Sequence, residues 1–419
     1  MKPFPLLRLP VIACLLACVL AACATRAPSS ASRAAAQPTV IVLSFDGLPA
    51  AAASDGSMPT LAALARSGVG SEGMVPSYPS LTFPNHYTLA TGLRPDHHGV
   101  VHNYMRDAAF GPYHSKKNGS EARWYGGEPV WNTLQRQGGR AATVAWIGAQ
   151  DAQDARRPAF FTVFDATQAE TARVDQLLSW LALPEAQRPQ LLMAYFEHHD
   201  VAAHASGPQS PEAMAARTRL DGALRRLLQG LEARNLRETT NVIVVSDHGI
   251  AEVPPRNIEA LSPAVPRDAF SVDGVNILLG IHPLPGRERE VEAGLVGRHA
   301  HHTCYRRDAL PAQWHYGTHP RIAPILCQAD VGWYLFVNTP PPERTPRKVR
   351  GEHGYDPRHP SMRAVFAAAG PSFRVGSHVG LFDNVDLYPL LARLLHIQPA
   401  PHDGDLDPLL PALRDHTVP

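Results

Sequence analysis

Five short apolar runs constrain this chain more than any other feature: Val40–Ser44, Ala142–Ile147, Leu191–Phe196, Val242–Ser246 and Ala364–Ala368. Each is a near-continuous apolar stretch bounded by polar or Gly/Pro signals, the pattern of a strand buried on both faces. Between them, Met58–Ser67, Tyr87–Thr91, Val130–Gln137, Thr171–Ala182 and Glu212–Arg234 read as helices. Strands alternating with helices predict an α/β fold with a mainly parallel central sheet flanked by helices. The helix over 212–234 is amphipathic, and its Arg217, Arg219, Arg225 and Arg226 are expected on a solvated face. The rhythm breaks over 254–350, which is rich in Pro, Arg and His, with weaker alternation around Val272–Leu279 and Gly332–Val337. This stretch reads as an inserted lobe, closed by the Thr339-Pro340-Pro341-Pro342 turn region, within a core formed by 39–253 and 351–419.

The chemistry is concentrated at the strand ends. Val40–Ser44 runs into Asp46-Gly47, Leu191–Phe196 into Asp200 with His204 four residues on, and Val242–Ser246 into Asp247-His248-Gly249. Ligands of open α/β sheets bind beyond the carboxyl ends of the strands, so these carboxylates and imidazoles are delivered to one edge. An Asp-Gly turn after a strand explains any one of them. It does not readily explain all three. Carboxylate oxygen and neutral imidazole are the ligands of open catalytic zinc sites, and Asp200-x-x-x-His204 lies on one face of a helix. His353, in Glu-His-Gly-Tyr, offers a further ligand, although composition alone favours an exposed loop histidine there. Thr82, within Tyr-Pro-Ser-Leu-Thr-Phe-Pro-Asn-His, sits near a helix start, where backbone N–H groups favour an anion; read on its own it is simply an N-cap, the commoner role for such a residue.

Lys and Arg total 39 against 38 Asp and Glu, so no global field draws nucleic acid or anionic membrane, and no stable nucleic-acid complex is expected. The N-terminus reads as an export signal over 1–22. Lys2 and Arg8 form its positive end, and Val11 to Ala22 is apolar but too short to span a bilayer comfortably. It ends Leu20-Ala21-Ala22-Cys23, which resembles a bacterial lipobox with Cys23 as the lipidated residue; the alternative is an ordinary signal cleaved near Ala22 or Ala24. Loss of Lys2 and Arg8 takes the net charge of +1 down by two to −1. Residues 23–38 form an Ala/Ser-rich tether. Only Cys304 and Cys327 remain for the folded body. In an oxidising compartment they suggest one disulfide, against the alternative of two separate buried thiols.

Taken in order, Ser-Phe-Asp46-Gly, Tyr-Pro-Ser-Leu-Thr82-Phe-Pro-Asn-His, Thr-Gly-Leu-Arg-Pro-x-x-His-Gly, Asn103-Tyr-Met, Trp124-Tyr-Gly-Gly-Glu-Pro, Asp200-x-x-x-His204-x-x-Gly-Pro, Ser-Asp247-His248-Gly and His353-Gly-Tyr resemble the nucleotide pyrophosphatase/phosphodiesterase family of the alkaline phosphatase superfamily. The resemblance spans residues 39–398. It implies an alkaline-phosphatase-like core and two zinc ions per chain, one on Asp200, His204 and His353, the other on Asp46, Asp247 and His248 with the Thr82 oxygen. It also implies a phosphate contact from Asn103 with the backbone N–H of Phe83, and a nucleotide base held between Phe83 and Tyr195. Asn85 and His86 are taken as structural. The chain departs from the family at Trp146-Ile147-Gly148-Ala149-Gln150, where Trp-Pro-Gly-Ser followed by an acidic residue is common, and this touches the substrate pocket rather than the metals.

The implied reaction has Thr82 as nucleophile, activated by metal coordination, attacking phosphorus between two metals about 4 Å apart, with water then hydrolysing a phospho-threonine. The expected substrate is a nucleotide diester or anhydride releasing nucleoside 5′-monophosphate, in the periplasm of a bacterium, with the protein lipid-anchored through Cys23. Within the superfamily the alternatives are a phosphomonoesterase, a phosphonate hydrolase or a lipid-headgroup diesterase. Outside it, the alternative is a lipid-anchored metal-binding protein without turnover, which would need a closed metal site and no placed nucleophile.

Overall fold

The computed structural model describes Met1 and residues 39–414, apart from 152–154, 264 and 342–346. The signal segment, the tether, Cys23 and part of the Pro-rich turn region lie outside the described residues. No helix among the described residues is long and apolar enough to cross a membrane.

An eight-stranded sheet organises the chain in the spatial order Ser377–Val379, Val69–Ser71, Phe366–Ala369, Thr240–Val245, Thr39–Phe45, Leu191–Phe196, Ala141–Val144 and Phe160–Thr162. All its neighbours are parallel except Phe366–Ala369, which runs antiparallel to both strands beside it. The central strand is Thr39–Phe45, and Val40, Ile41, Val42 and Leu43 are fully buried. Burying such a side chain contributes roughly 1.5–3 kcal/mol, which explains why the run carries no polar interruption before Ser44. Its register decides the site. Ser44 pairs with both Tyr195 and Val245, so three parallel strands end level and their following residues emerge together.

Helices flank the sheet. Pro211–Glu232 packs on Glu170–Leu181, His198–Ser206 and Pro59–Ser67, while Leu387–Leu395 packs on Thr82–Thr91 and Val130–Arg136. Three expectations need correcting here. The helix read as starting at Tyr87 starts at Thr82, because Pro84 and Asn85 are compatible with a first turn that periodicity does not reveal. Arg217 is not on a solvated face but fully buried. It shares the apolar stripe of Ala213, Leu220 and Leu224. There its Nε donates to His199 Nε2 at 3.1 Å and its guanidinium pairs with Asp55 at 3.0 Å. Arg219, Arg225 and Arg226 are exposed. The strand expected over 142–147 stops at Val144, where Ala145 turns to a positive φ of 57°.

Residues 254–350 include a second, five-stranded antiparallel sheet: Phe270–Val275, Leu278–Pro283, Ile325–Ala329, His302–Arg306 and Gly297–Arg298. Cys304 and Cys327 face each other across one strand pair and are joined by a disulfide. This sheet has its own apolar cluster, including Ile281, Val291, Leu295 and Leu335, while Trp314, Tyr316 and Leu326 belong to the main core. Trp314 stacks on Tyr78 at 4.0 Å between ring centroids, and the Tyr78 hydroxyl donates to Gln328 Oε1 at 2.8 Å. These contacts hold the segment leading to Thr82 against the second sheet.

Candidate active site

Asp46 and Gly47 follow the central strand directly. The Asp46 backbone N–H donates to Phe196 O at 2.9 Å, continuing the sheet into the turn. Gly47 has φ +65°, and a Cβ there would stand 2.9 Å from Asp200 Oδ1. Only glycine lets the turn pass that close to the carboxylate. Asp200 lies in the first turn of the helix His198–Ser206, with His204 one turn on; His204 Nε2 is 3.4 Å from Asp200 Oδ2. Asp247 and His248 follow Thr240–Val245, and His353 follows the short strand Arg350–Glu352, which pairs with Ala251–Val253.

These side chains converge. Asp46, Asp247 and His248 offer ligand atoms within 4.8 Å of one another, and so do Asp200, His248 and His353. His248 Nε2 lies 3.0 Å from Asp247 Oδ2 and 3.6 Å from Asp46 Oδ1. The rings of His248 and His353 stack at 3.7 Å, and His204 lies edge-on to His353 at 5.0 Å. His248 lies within reach of both groups, and His204 stands at the partly exposed rim with its Nε2 beside Asp200. The Nδ1–H of His248 donates to Gly249 O at 2.9 Å and that of His353 to Ser80 O at 2.8 Å. Both bonds leave Nε2 as the lone-pair nitrogen facing the carboxylates, the tautomer a metal ligand needs.

Three carboxylates this close and this buried are costly without a cation. Asp46 Oδ1, Asp200 Oδ1 and Asp247 Oδ2 are buried without a hydrogen-bond partner. Burial, reinforced by Asp247 and Asp200, holds Asp46 well above the usual carboxylate range. Burial also raises Asp200. It opposes the charge of Asp247 too, but His248 and His86 outweigh it and draw that group well below the usual range. Burial, with His248 and His204 nearby, pushes His353 well down, whereas Asp200 and Glu352 overcome burial at His204 and carry it to about 10. Unpaired oxygens, lone-pair imidazoles and like charges together fit divalent metal ions.

Thr82 is the first residue of the helix Thr82–Thr91. The N-cap is Leu81, with no side-chain cap bond, so the Thr82 hydroxyl is not spent on capping. Its Oγ1 lies 3.4 Å from His248 Nε2, at the residue shared by both ligand sets. The backbone N–H of Phe83 donates to Asn103 Oδ1 at 3.1 Å, which brings Asn103 beside Thr82. The Phe83 ring is partly buried, lies over Gly119 and meets Tyr113 edge-on at 6.4 Å.

Tyr195 corrects the sequence reading. Its side chain is buried and its hydroxyl donates to Asp46 Oδ2 at 2.6 Å. It orients a carboxylate and presents no open face to a base. His86, taken as structural, makes the same kind of contribution. Its Nδ1–H donates to Thr82 O at 2.9 Å, its Nε2 accepts from Ser44 Oγ at 2.8 Å, and Asp247 Oδ2 lies 3.3 Å from Nδ1. Its spacing of four from Thr82 on one helix was the available sequence signal. Trp146, in the segment that departs from the family, is fully buried and meets His86 edge-on at 5.5 Å.

A family model described as type I phosphodiesterase / nucleotide pyrophosphatase matches residues 40–356. A pyrophosphatase/phosphodiesterase of Schizosaccharomyces pombe, itself uncharacterised, is 34% identical over 398 residues, covering 90% of this chain and 81% of that protein. Ectonucleotide pyrophosphatase/phosphodiesterase family member 3 of Rattus norvegicus is 33% identical over 92% of this chain. The venom phosphodiesterase of Crotalus durissus collilineatus is 31% identical over 91% of this chain. The chain spans about half the length of these last two, 45% and 47%. Murine ectonucleotide pyrophosphatase/phosphodiesterase 5, solved as an inactive threonine-to-alanine variant with AMP, superposes with a TM-score of 0.84 at 28% identity, covering 90% of this chain and all of that one.

Proposed function

The chain belongs to the type I phosphodiesterase / nucleotide pyrophosphatase family, and we propose that it hydrolyses nucleotide phosphodiester or phosphoanhydride bonds at two zinc ions, with Thr82 as nucleophile and nucleoside 5′-monophosphate as product. The observation that carries this reading is the Thr82 hydroxyl, free of any capping role, 3.4 Å from the histidine common to both ligand sets. The AMP complex of the murine relative, made with a threonine removed, supports the substrate class and the role of the threonine.

Asp46, Asp247 and His248 would hold one ion and Asp200, His204 and His353 the other. When bound, the ions supply Lewis acidity and lower the pKa of the threonine hydroxyl and of a water molecule. Within the protein, the helix start presents Thr82 Oγ1 to phosphorus, where backbone dipoles favour the anionic group. The Asn103 Nδ2–H and the Phe83 N–H would donate to phosphoryl oxygens, the latter after giving up its bond to Asn103 Oδ1. Tyr195 and His86 keep Asp46, Asp247 and the Thr82 backbone in place. Bonding of Thr82 Oγ1 to phosphorus would break the bond to the leaving alcohol or phosphate, and water would then hydrolyse the phospho-threonine, returning the threonine hydroxyl and freeing the nucleoside 5′-monophosphate. The protein acts in a bacterial periplasm, held by lipid on Cys23, a reading supported by the lipobox-like Leu20-Ala21-Ala22-Cys23.

The test is substitution at the hydroxyl. Thr82→Ala abolishes turnover of a nitrophenyl nucleotide diester by at least ~1000-fold while metal content stays intact, and Thr82→Ser retains part of it. Acid-quenched wild-type protein yields a phosphorylated peptide containing Thr82. An alanine variant with substantial turnover refutes the assignment.

A further inference from the structure

The second sheet carries a set of metal-ligand side chains that the phosphodiesterase site does not use. His302 opens the strand His302–Arg306, and Cys304, two residues on, lies on the same face. The His299 backbone N–H donates to His302 O at 2.8 Å, folding the preceding loop back on the strand. His299, His302 and Cys304 thereby offer ligand atoms all within 4.8 Å of one another.

The two imidazoles are prepared for coordination in complementary ways. His302 is 1% exposed, and neither ring nitrogen completes a hydrogen bond. Its Nδ1 faces Glu259 Oε1 at 3.1 Å, the placement of a carboxylate that orients a metal-bound histidine and leaves Nε2 as the ligand atom. His299 is the mirror case: its Nε2–H donates to Leu295 O at 2.7 Å, so Nδ1 carries the lone pair. The rings lie parallel at 4.2 Å. The third atom, Cys304 Sγ, is bonded to Cys327 across the strand pair and offers no thiolate in this state.

We propose that opening the Cys304–Cys327 disulfide creates a binding site for a zinc-class divalent cation on His299 Nδ1, His302 Nε2 and the Cys304 thiolate. A dithiol reductant breaks the sulfur–sulfur bond, gives two electrons and two protons, and leaves as its own cyclic disulfide. The Cys304 thiol then releases its proton to water as sulfur binds the ion. Thiolate with two imidazoles is a soft, nitrogen-rich set of the kind zinc and cobalt(II) prefer. The Cys327 thiol or a water completes the tetrahedron. A disulfide oxidant reverses this: it accepts two electrons and two protons from Cys304 and Cys327, becomes a dithiol, and the re-formed Cys304–Cys327 bond removes the sulfur ligand from the ion.

The test titrates the full chain with Co2+, whose thiolate charge-transfer absorption reports a sulfur–cobalt bond that the oxygen and nitrogen ligands of the phosphodiesterase site do not give. Cys327→Ser leaves Cys304 free without any reductant. It is expected to bind one further ion with that absorption, as is wild-type protein treated with a phosphine reductant. Oxidised wild type binds none there. Adding His302→Ala to Cys327→Ser weakens the binding at least tenfold, and adding Cys304→Ser removes the absorption. Circular dichroism monitors folding, and should Cys327→Ser unfold, the reduced wild-type protein decides. A folded, thiol-containing protein that takes up no further ion, or whose uptake is indifferent to His302→Ala, overturns the proposal.

Discussion

The Tyr195 hydroxyl donates to Asp46 Oδ2 at 2.6 Å, while its ring lies edge-on to His86 at 4.7 Å. One aromatic residue therefore fixes a carboxylate of one ligand set and packs on the imidazole that holds the Thr82 carbonyl. Partners of this kind outside the metal's own ligands typically govern 10–100-fold in metal affinity. Tyr195→Phe keeps the packing and removes the donor. The expected result is a metal affinity lowered roughly tenfold or more by competition with a chelator. At saturating zinc the KM for a nucleotide diester should stay near wild type. A raised KM with unchanged metal affinity would restore Tyr195 to the base-binding role.

Gly47 gives a second test of how tightly the ligands are placed. Alanine there meets both the left-handed backbone, φ +65°, and Asp200 Oδ1 at 2.9 Å. Gly56 shares the backbone, φ +85°, but has nothing within 4 Å of the added carbon. Backbone strain costs about 1–3 kcal/mol at either position. Gly56→Ala is expected to lose stability alone, whereas Gly47→Ala loses stability and metal together. Denaturant midpoints paired with metal analysis separate the two, and equal metal content in both variants contradicts the close approach.

His98 sets an acid limit on stability. It is buried, accepts the Val100 N–H at Nδ1 at 3.1 Å, and donates from Nε2 to Thr88 Oγ1 at 3.0 Å. Burial pushes it down to about 3 from an ordinary 6.5. The unfolded chain therefore takes up this proton first. The contribution is fully present above pH 6.5 and declines as pH falls toward 3. Between pH 7 and 5 it amounts to about 2 kcal/mol, and His102, held near 4 by burial, acts in the same direction. His98→Asn keeps an acceptor for Val100 and has no proton to gain. It should be less stable than wild type at pH 7.5 yet lose less between pH 7 and 5 in urea unfolding. Parallel pH profiles would show that His98 is not the group responsible.

The part of this architecture legible in the sequence is the part dictated by burial on both faces of a strand. Val40–Ser44, Leu191–Phe196 and Val242–Ser246 read as strands because no charged residue interrupts their apolar runs, and Asp46, Asp200 and Asp247 could be placed at one edge because parallel strands in register end together. Val69–Ser71, Phe160–Thr162 and Ser377–Val379 are too short to make a pattern. Arg217 looked like its exposed neighbours because charge outweighed helical position, although it falls four residues after Ala213 and three before Leu220, on the buried stripe. Tyr195 was misread because an aromatic on a strand carries no mark of which way its hydroxyl points. The sharing of His248 between the two ligand sets depends on three-dimensional approach and has no linear signature.

A phosphate monoester brings a dianion, and enzymes that turn it over well place a cation, usually an arginine fork, on the additional oxygen. Three arginines in the segments after Thr82 are candidates, and all are committed elsewhere. Arg94 pairs with Asp383 at 2.7 Å, Arg106 with Asp273 at 3.2 Å and Arg123 with Glu121 at 2.6 Å. The residue next to Thr82 instead offers a neutral pair, the Phe83 N–H bonded to the Asn103 amide oxygen. A diester carries one charge less and a second organic group, for which the partly exposed Phe83 ring is a surface. Stacking of a base on an aromatic ring is worth about 1–3 kcal/mol. The expected kcat/KM for a nitrophenyl thymidine phosphodiester is therefore well above that for nitrophenyl phosphate under identical conditions. Phe83→Ala should lower the diester value roughly 5- to 150-fold, the same 1–3 kcal/mol expressed as a rate ratio, and leave a diester lacking a base nearly unchanged. Equal rates for the diester and the monoester would mean that a cation reaches the phosphoryl group after all, and Arg106, half-exposed and held by Asp273 alone among these pairs at more than 3 Å, is the residue to substitute next.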